Sequence, residues 1–346
     1  MEERFERETR GLIRSWARHG RETLRGYLVQ NVEDPRINVQ SVLTRHFLLE
    51  GLFGGRFAAL REQELRFALV MNWLLALARR TADAAARASV MDAAADALLS
   101  DDPQGAELEI PPYVAETFAA LPAQADGIEV PEYLLGTLAQ LAAEPTQTDL
   151  DESVLVPFQR LWRQVLAAQP TDEQPRKISV VEPACGSAND YRFLERFGIA
   201  RYLDYTGFDL CQKNVQNARR MLPDVRFEVG NILEIDAPDG AFEYAFVHDL
   251  FEHLSVAAME RAIAELCRVT RRAACVGFFH VHAGDRHVVK AVGEYHWNRL
   301  SLPATEAVFR RHASAVEVIH IDAFLRRRFG CGDTHNKGAY TFIVTM

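Results

Sequence analysis

Histidine is the residue type that most invites a chemical reading. The chain has 11 of them, and several cluster late in the sequence. His248 and His253 follow the apolar run Phe242 to Val247, and His280 and His282 close another in Phe278-Phe279-His280-Val281-His282. His287 lies just beyond, and His296 sits in Glu294-Tyr295-His296-Trp297. Imidazole titrates near ~6.5, so it can take or give a proton at neutral pH. The period-two spacing puts His280 and His282 on one face if the strand continues through them. One of these two is the expected general base, with His253 next; each can also be a hydrogen-bonded structural residue. His280, His282 and His287, with Asp285, Asp322 or Asp333, offer nitrogen and oxygen donors to a divalent ion. Their spacing is not diagnostic of a metal site, and no metal is expected.

These residues need a scaffold, and the second half of the chain supplies an alternation of strands and helices. Apolar runs at Ile178–Val181, Tyr205–Phe208, Val225–Val229, Phe242–Val247 and Ala273–Val281 read as strands. Helical patterns at Tyr191–Phe197, Gln212–Leu222, Val256–Val269 and Thr305–His312 alternate with them. That order predicts a doubly wound, mostly parallel α/β sheet. Two more strands, Val316–Ile321 and Thr341–Thr345, are read without a helix between them, as an antiparallel hairpin at the sheet edge.

In such a sheet a ligand binds beyond the carboxyl ends of the strands, near the point where strand order reverses. The first strand leads into Glu182-Pro183-Ala184-Cys185-Gly186-Ser187-Ala188. A turn of small residues lets a ligand approach the backbone. Asp209 ends the second strand, where an acid can take a ribose diol. Asn231 and Ile232 follow the third strand, and His248-Asp249-Leu250-Phe251-Glu252-His253 follows the fourth.

This ordered set resembles the class I S-adenosylmethionine-dependent methyltransferases over residues 177–346. The family's E/D-x-G-x-G-x-G turn is kept here at Glu182 and Gly186, with Ala184 and Ala188 at the other glycine positions. The resemblance implies a seven-stranded Rossmann-like sheet and S-adenosyl-L-methionine as cofactor. It implies that Glu182 orders the loop and reaches the cofactor's amino group, and that Ala184, Cys185, Gly186 and Ser187 line the methionine part. Asp209 would hold the ribose hydroxyls, Leu210 and Ile232 would pack on the adenine, and Asn231 would meet the adenine amine. His248, Asp249 and Leu250 would pass beside the methionine and adenosine. A nicotinamide dinucleotide is the alternative ligand, but its pyrophosphate asks for a G-x-G-x-x-G turn that is missing here. The segment Ala283–Pro303, with Tyr295, Trp297 and Asn298, resembles the family's variable region over the acceptor.

Residues 1–170 read as an all-α domain, joined to 177–346 by the polar segment Pro170 to Pro175. Helical patterns run through Arg56–Arg80, Thr81–Ser100 and Asp149–Gln169, and shorter ones follow Pro112 and Pro131. An arginine stripe from Arg4 to Arg25 reads as a solvated face paired with Glu2, Glu3, Glu6, Glu8 and Glu22, or as a clamp for an anionic partner. The helical domain is expected to act as a lid, a substrate-binding element or a dimer interface. Within it, the segment from Asn38 to Phe47 offers polar groups on an apolar helix that could reach the site.

Composition narrows the function classes. A net charge of −9 removes the simplest argument for nucleic acid, a large basic surface. The longest apolar stretch, Phe67 to Ala78, contains Asn72 and falls short of the ~20 residues of a spanning helix. The first residues, MEERFERETR, have no apolar signal segment. Five cysteines without a CxxC pair read as reduced thiols in a cytoplasmic protein. The expected function is methylation of a small molecule at oxygen or nitrogen in specialised metabolism. The alternatives are methylation of a protein or peptide side chain, or a non-catalytic cofactor-binding scaffold.

Overall fold

The structure is a computed structural model that describes residues 39–81, 83–100, 108–121, 124–125, 128–129, 176–292, 295–332 and 336–346. The arginine stripe, the helix after Pro131, the helix at 149–169, the 170–175 linker and Asp333 fall outside the described residues.

Seven strands form one sheet: β1 (Ile178–Pro183), β2 (Leu203–Asp209), β3 (Arg226–Val229), β4 (Phe242–His248), β5 (Thr270–Phe278), β6 (Ala315–His320) and β7 (Tyr340–Thr345). Their spatial order is β6-β7-β5-β4-β1-β2-β3. The strands β3, β2, β1, β4 and β5 pair in parallel. β7 runs antiparallel to both β5 and β6, so the expected antiparallel pair is present at that edge. The expected absence of a helix between the last two strands is corrected: the helix Ile321–Phe329 joins them. Ile321, Leu325 and Phe329 are its buried stripe, at steps of four, and Gly330 at φ 68° ends it in the left-handed conformation that glycine accepts. The helix starts directly after β6, so strand and helix patterns merge in the sequence.

Strand alternation divides the core between two faces. Val181, Ala245, Val247, Val276, Phe278, Phe342 and Val344 pack on one side under the helices Val256–Val269 and Leu302–Arg310. Ser255 caps the first of these helices and Ser301 the second, each accepting from a backbone N–H at 3.2 Å. Val180, Tyr205, Tyr244, Phe246 and Cys275 face the other side.

On that second side, the N-terminal helices share a core with the sheet. They are α1 (Val39–Phe53), α2 (Ala58–Arg80), α3 (Ala84–Leu99) and α4 (Pro112–Ala119). Val42, Leu43, Leu49, Phe67, Val70, Leu74 and Val114 are buried in one cluster with Val180, Tyr205 and Phe246. α1 lies against β4 and β5. The Cys275 thiol contacts the Thr44 carbonyl at 3.6 Å, and the Thr44 hydroxyl approaches that of Thr341 on β7 at 3.5 Å. No helix among the described residues is long and apolar enough to cross a membrane.

Candidate active site

Strand order reverses between β1 and β4, which opens a crevice at their carboxyl ends. Among the described residues the non-glycine positions with positive φ are Ala184 (57°), Ala188 (64°) and Asp249 (49°). The first two follow β1 and the third follows β4, so all three border that crevice. A Cβ in the left-handed region costs ~1–2 kcal/mol, and such strain concentrates where function demands a backbone shape. Gly186, at φ 54°, turns the same loop.

Side chains at the ends of β1 and β2 hold this loop. Asp209 accepts from Gly186 N–H at 2.9 Å on one oxygen, and from Cys211 N–H at 2.8 Å and Asn214 Nδ2 at 3.2 Å on the other. Burial raises its pKa, and these donors pull the other way. Cys185 N–H donates to the Phe208 carbonyl at 3.1 Å, tying the loop to β2 again. Glu182 is buried and accepts from the Tyr205 hydroxyl. Burial, then the negative charge of Asp190, lifts the Glu182 pKa well above the ordinary range. Burial also pushes the Cys185 thiol up, so it is no nucleophile. Gly207 has no room for a side chain: a Cβ there would lie 2.7 Å from the Tyr205 hydroxyl.

Beyond β3, Asn231 accepts from Leu233 N–H at 3.0 Å, Ile232 is buried, and Leu210 is half-buried after β2. At the end of β4, His248 Nδ1 lies 2.7 Å from Asp190 Oδ2, and Arg45 Nη1 from α1 lies 3.7 Å from Asp190 Oδ1. Burial opposes charge on Asp190 and His248, but the attractions among the groups outweigh it. The His248 pKa is raised and that of Asp190 lowered. An Arg45–Asp190–His248 cluster joins α1, the helix Asn189–Arg196 and β4. The 38–47 segment is expected to offer polar groups to the site, and Arg45 does so, but no role is assigned to Arg45 or Asp190 from the sequence, because the residues that meet here are distant in sequence.

The three histidines expected to be catalytic gather beyond β4 and β5, but not as the strand pattern predicts. β5 ends at Phe278, and residues 279–280 form a bend. Val281 and His282 then pair with Leu300 and Ser301. His280 and His282 therefore do not share the face of one continuous strand. The cause is Glu252, fully buried and missed in the sequence reading. Its Oε1 accepts from Phe279 N–H at 2.8 Å and His280 N–H at 3.2 Å, diverting the amides from the sheet ladder. Burial, then the negative charge of Asp249, pushes Glu252 up to about 8, toward its neutral form.

His253 lies on the one-turn helix Phe251–His253. Its ring centroid is 5.5 Å from that of Phe279, 6.1 Å from Tyr295 and 5.2 Å from Trp297. Nδ1 is 3.1 Å from the carbonyl oxygen of His296. His282 Nδ1 accepts from Gly284 N–H at 3.1 Å, and His287 Nδ1 from Ser301 N–H at 3.0 Å. Burial lowers the pKa of His253, His280 and His287. Asn298, fully buried, ties the same segment down by donating to the Leu254 carbonyl at 2.7 Å. Among the described residues no group of His, Cys, Asp and Glu is arranged to hold a metal.

Residues 180–273 match the family model described as a methyltransferase domain. No curated protein matches the chain significantly. Among solved structures, an S-adenosylmethionine-dependent methyltransferase from Mesorhizobium loti is 15% identical, covering 53% of this chain and 96% of its own, with a TM-score of 0.38. A 1,6-didemethyltoxoflavin-N1-methyltransferase from Burkholderia thailandensis is 14% identical, covering 62% of this chain and 86% of its own, at 0.35. A Pyrococcus horikoshii protein is 16% identical, covering 60% and 98%, at 0.38. The family match spans β1 to the start of β5, within a seven-stranded sheet closed by an antiparallel strand. Residues 180–273 are thus similar to a methyltransferase domain, which supports an enzyme that uses S-adenosylmethionine as its cofactor.

Proposed function

We propose that the domain methylates a small molecule at oxygen or nitrogen, in specialised metabolism. The observation that carries this reading is the imidazole of His253 set among the rings of Phe279, Tyr295 and Trp297. Half-buried rings around a neutral base suit a compact acceptor better than a polyanion or a polypeptide surface. The net charge of −9 works in the same direction.

The residues around the crevice fit the cofactor. The left-handed turn at Ala184, Gly186 and Ala188 presents backbone rather than side chains to the methionine part. Asp209 Oδ2 accepts one hydrogen bond in the structure, and a carboxylate oxygen can accept a second, from a ribose hydroxyl. Ile232 and Leu210 offer apolar surface to the adenine, and Asn231 can accept from its amine. Glu182, Cys185, Ser187 and the His248–Leu250 segment complete the lining. The cofactor supplies an activated methyl group, so alignment of the acceptor provides much of the acceleration. His253, with His280 and His282 as further candidates, takes the acceptor's proton.

The N-terminal helices brace the crevice through Arg45, and a cytoplasmic setting fits the five free thiols. The test is transfer of label. Protein is incubated with methyl-labelled S-adenosylmethionine and a cell extract separated into small-molecule and macromolecular fractions. Label appearing in the small-molecule fraction supports the proposal; label confined to protein or nucleic acid would overturn it.

A further inference from the structure

The segment that follows β5 is rich in cations. Arg286, Lys290 and Arg299 are exposed and form no ion pair among the described residues, in a chain whose net charge is −9. His280, His282 and His287 lie among them. Few acids are at hand. Asp285 is exposed in the turn between His282 and His287, and Glu260 is paired with Arg311 at 3.4 Å.

The backbone fixes where the imidazole hydrogens sit. Gly284 N–H donates to His282 Nδ1 at 3.1 Å, and Ser301 N–H to His287 Nδ1 at 3.0 Å. A nitrogen that accepts carries no hydrogen, so each neutral ring has its hydrogen on Nε2 and is a donor there. His253 is the reverse, because its Nδ1 faces a carbonyl oxygen, which only accepts. His282 Nε2 is buried and has no hydrogen-bond partner among the described residues. A buried donor without a partner is costly, so this one calls for an acceptor that the chain does not supply.

Backbone pairing holds the groups side by side. Ser301, which ties down the His287 ring, is the register partner of His282. Val288 and Arg299 exchange backbone hydrogen bonds at 2.9 and 3.0 Å, which places Arg299 across from the residue after His287. The side chains also feel one another. Burial, then the charge of Arg299, lowers the His280 pKa, and His282 adds to this. Burial lowers that of His287 too, where Glu260 opposes and His282 adds.

We propose that the Nε2–H groups of His282 and His287 and the guanidinium of Arg299 form a site for an oxyanion, a carboxylate or phosphate group carried by the acceptor. Its assignment to the acceptor rests on the methyltransferase reading above. The site lies beyond the carboxyl end of β5, the end of the sheet at which the crevice opens. Two fixed donors and one guanidinium supply hydrogen bonds and a compensating charge without rearrangement of the rings. His282 thereby serves as a hydrogen-bond donor to the acceptor and not as its base.

The test uses the full chain, isotopically labelled at its histidine nitrogens, with and without S-adenosylhomocysteine. Sodium acetate and inorganic phosphate are the probes, compared with sodium chloride at equal ionic strength. The spectra should show neutral His282 and His287 with hydrogen on Nε2. The better probe should shift both rings saturably with one millimolar Kd and raise both pKa values, since a neighbouring anion favours the charged ring. Which probe binds more tightly distinguishes a carboxylate from a phosphate. Arg299→Ala should weaken that binding about tenfold, and Arg299→Lys should restore part of it. His287→Phe removes a donor and should weaken it several-fold, whereas His287→Gln retains an N–H and should weaken it less. Shifts no different from those with chloride, the opposite tautomer at His282, or an unchanged Kd in Arg299→Ala would overturn the inference. Calorimetry of S-adenosylhomocysteine is read separately, and Arg299→Ala should bind it as the wild type does. Failure of the wild type to bind it would overturn the cofactor assignment, while the anion titration of the unloaded chain still decides the site.

Discussion

Ala184, Ala188 and Asp249 show the price of the site's backbone shape most directly, because each is an L-residue in left-handed space. Ala184→Gly removes that strain, less the extra freedom glycine has in the unfolded chain. The expected gain is about 0.5–1 kcal/mol in denaturant unfolding; a loss of stability would contradict the strain argument. Glu252 gives a pH prediction. Its folded pKa, about 8, lies above its ordinary 4.5. Its contribution is therefore fully present below about pH 4.5 and is lost as the pH rises through about 8. Glu252→Gln should flatten the fall in melting temperature between those values, and a parallel fall in both proteins would show that Glu252 does not cause it. Position by position, the sequence located the strand-end residues well, because each is next to an apolar run. It did not reveal their hydrogen bonds. Nothing local marks that Asp209 holds Gly186, or that the proton of His253 sits on Nδ1.

At the scale of elements, the cluster of Arg45, Asp190 and His248 joins α1 to the helix after the first loop and to β4. Arg45 is 2% exposed on its side chain, and His248 and Asp190 are 17% and 14% exposed, so solvent screens the cluster weakly. Removing one partner of such a buried group leaves uncompensated charge and typically costs ~3–5 kcal/mol. Asp190→Asn is therefore expected to lower stability by several kcal/mol and to weaken cofactor binding, by loosening the helix that follows the loop. Unchanged stability would mean that the charges are solvated after all. The Asp190 pKa is lowered, so its contribution is present above the ordinary carboxylate range and lost as the pH falls through its folded value. Among the elements, the amphipathic helix Val256–Val269 matched its expected boundaries. Its buried residues recur at helical spacing and Ser255 marks its start. The missed helix Ile321–Phe329 has the same spacing but no preceding turn residue to separate it from β6.

For the whole molecule, the parallel sheet was legible because alternating strand and helix patterns leave few arrangements. The position of the N-terminal helices was not, since an apolar helix face does not name the surface it covers. α1 packs on β4 and β5 and shares a core with Val180, Tyr205 and Phe246, so a chain starting at residue 176 would uncover part of one face of the sheet. Such a fragment is expected to lose its cooperative melt, and a sharp transition at the full-length temperature would contradict the shared core. Cofactor binding in the crevice at the ends of β1, β2 and β4 is tested by calorimetric titration of the full chain, and of its Asp209→Ala variant, with S-adenosylhomocysteine and with a nicotinamide dinucleotide. Micromolar binding of the sulfur nucleoside, weakened at least tenfold by the substitution and absent for the dinucleotide, is the predicted result. Binding of the dinucleotide instead, or sulfur-nucleoside binding that ignores Asp209, would contradict the account.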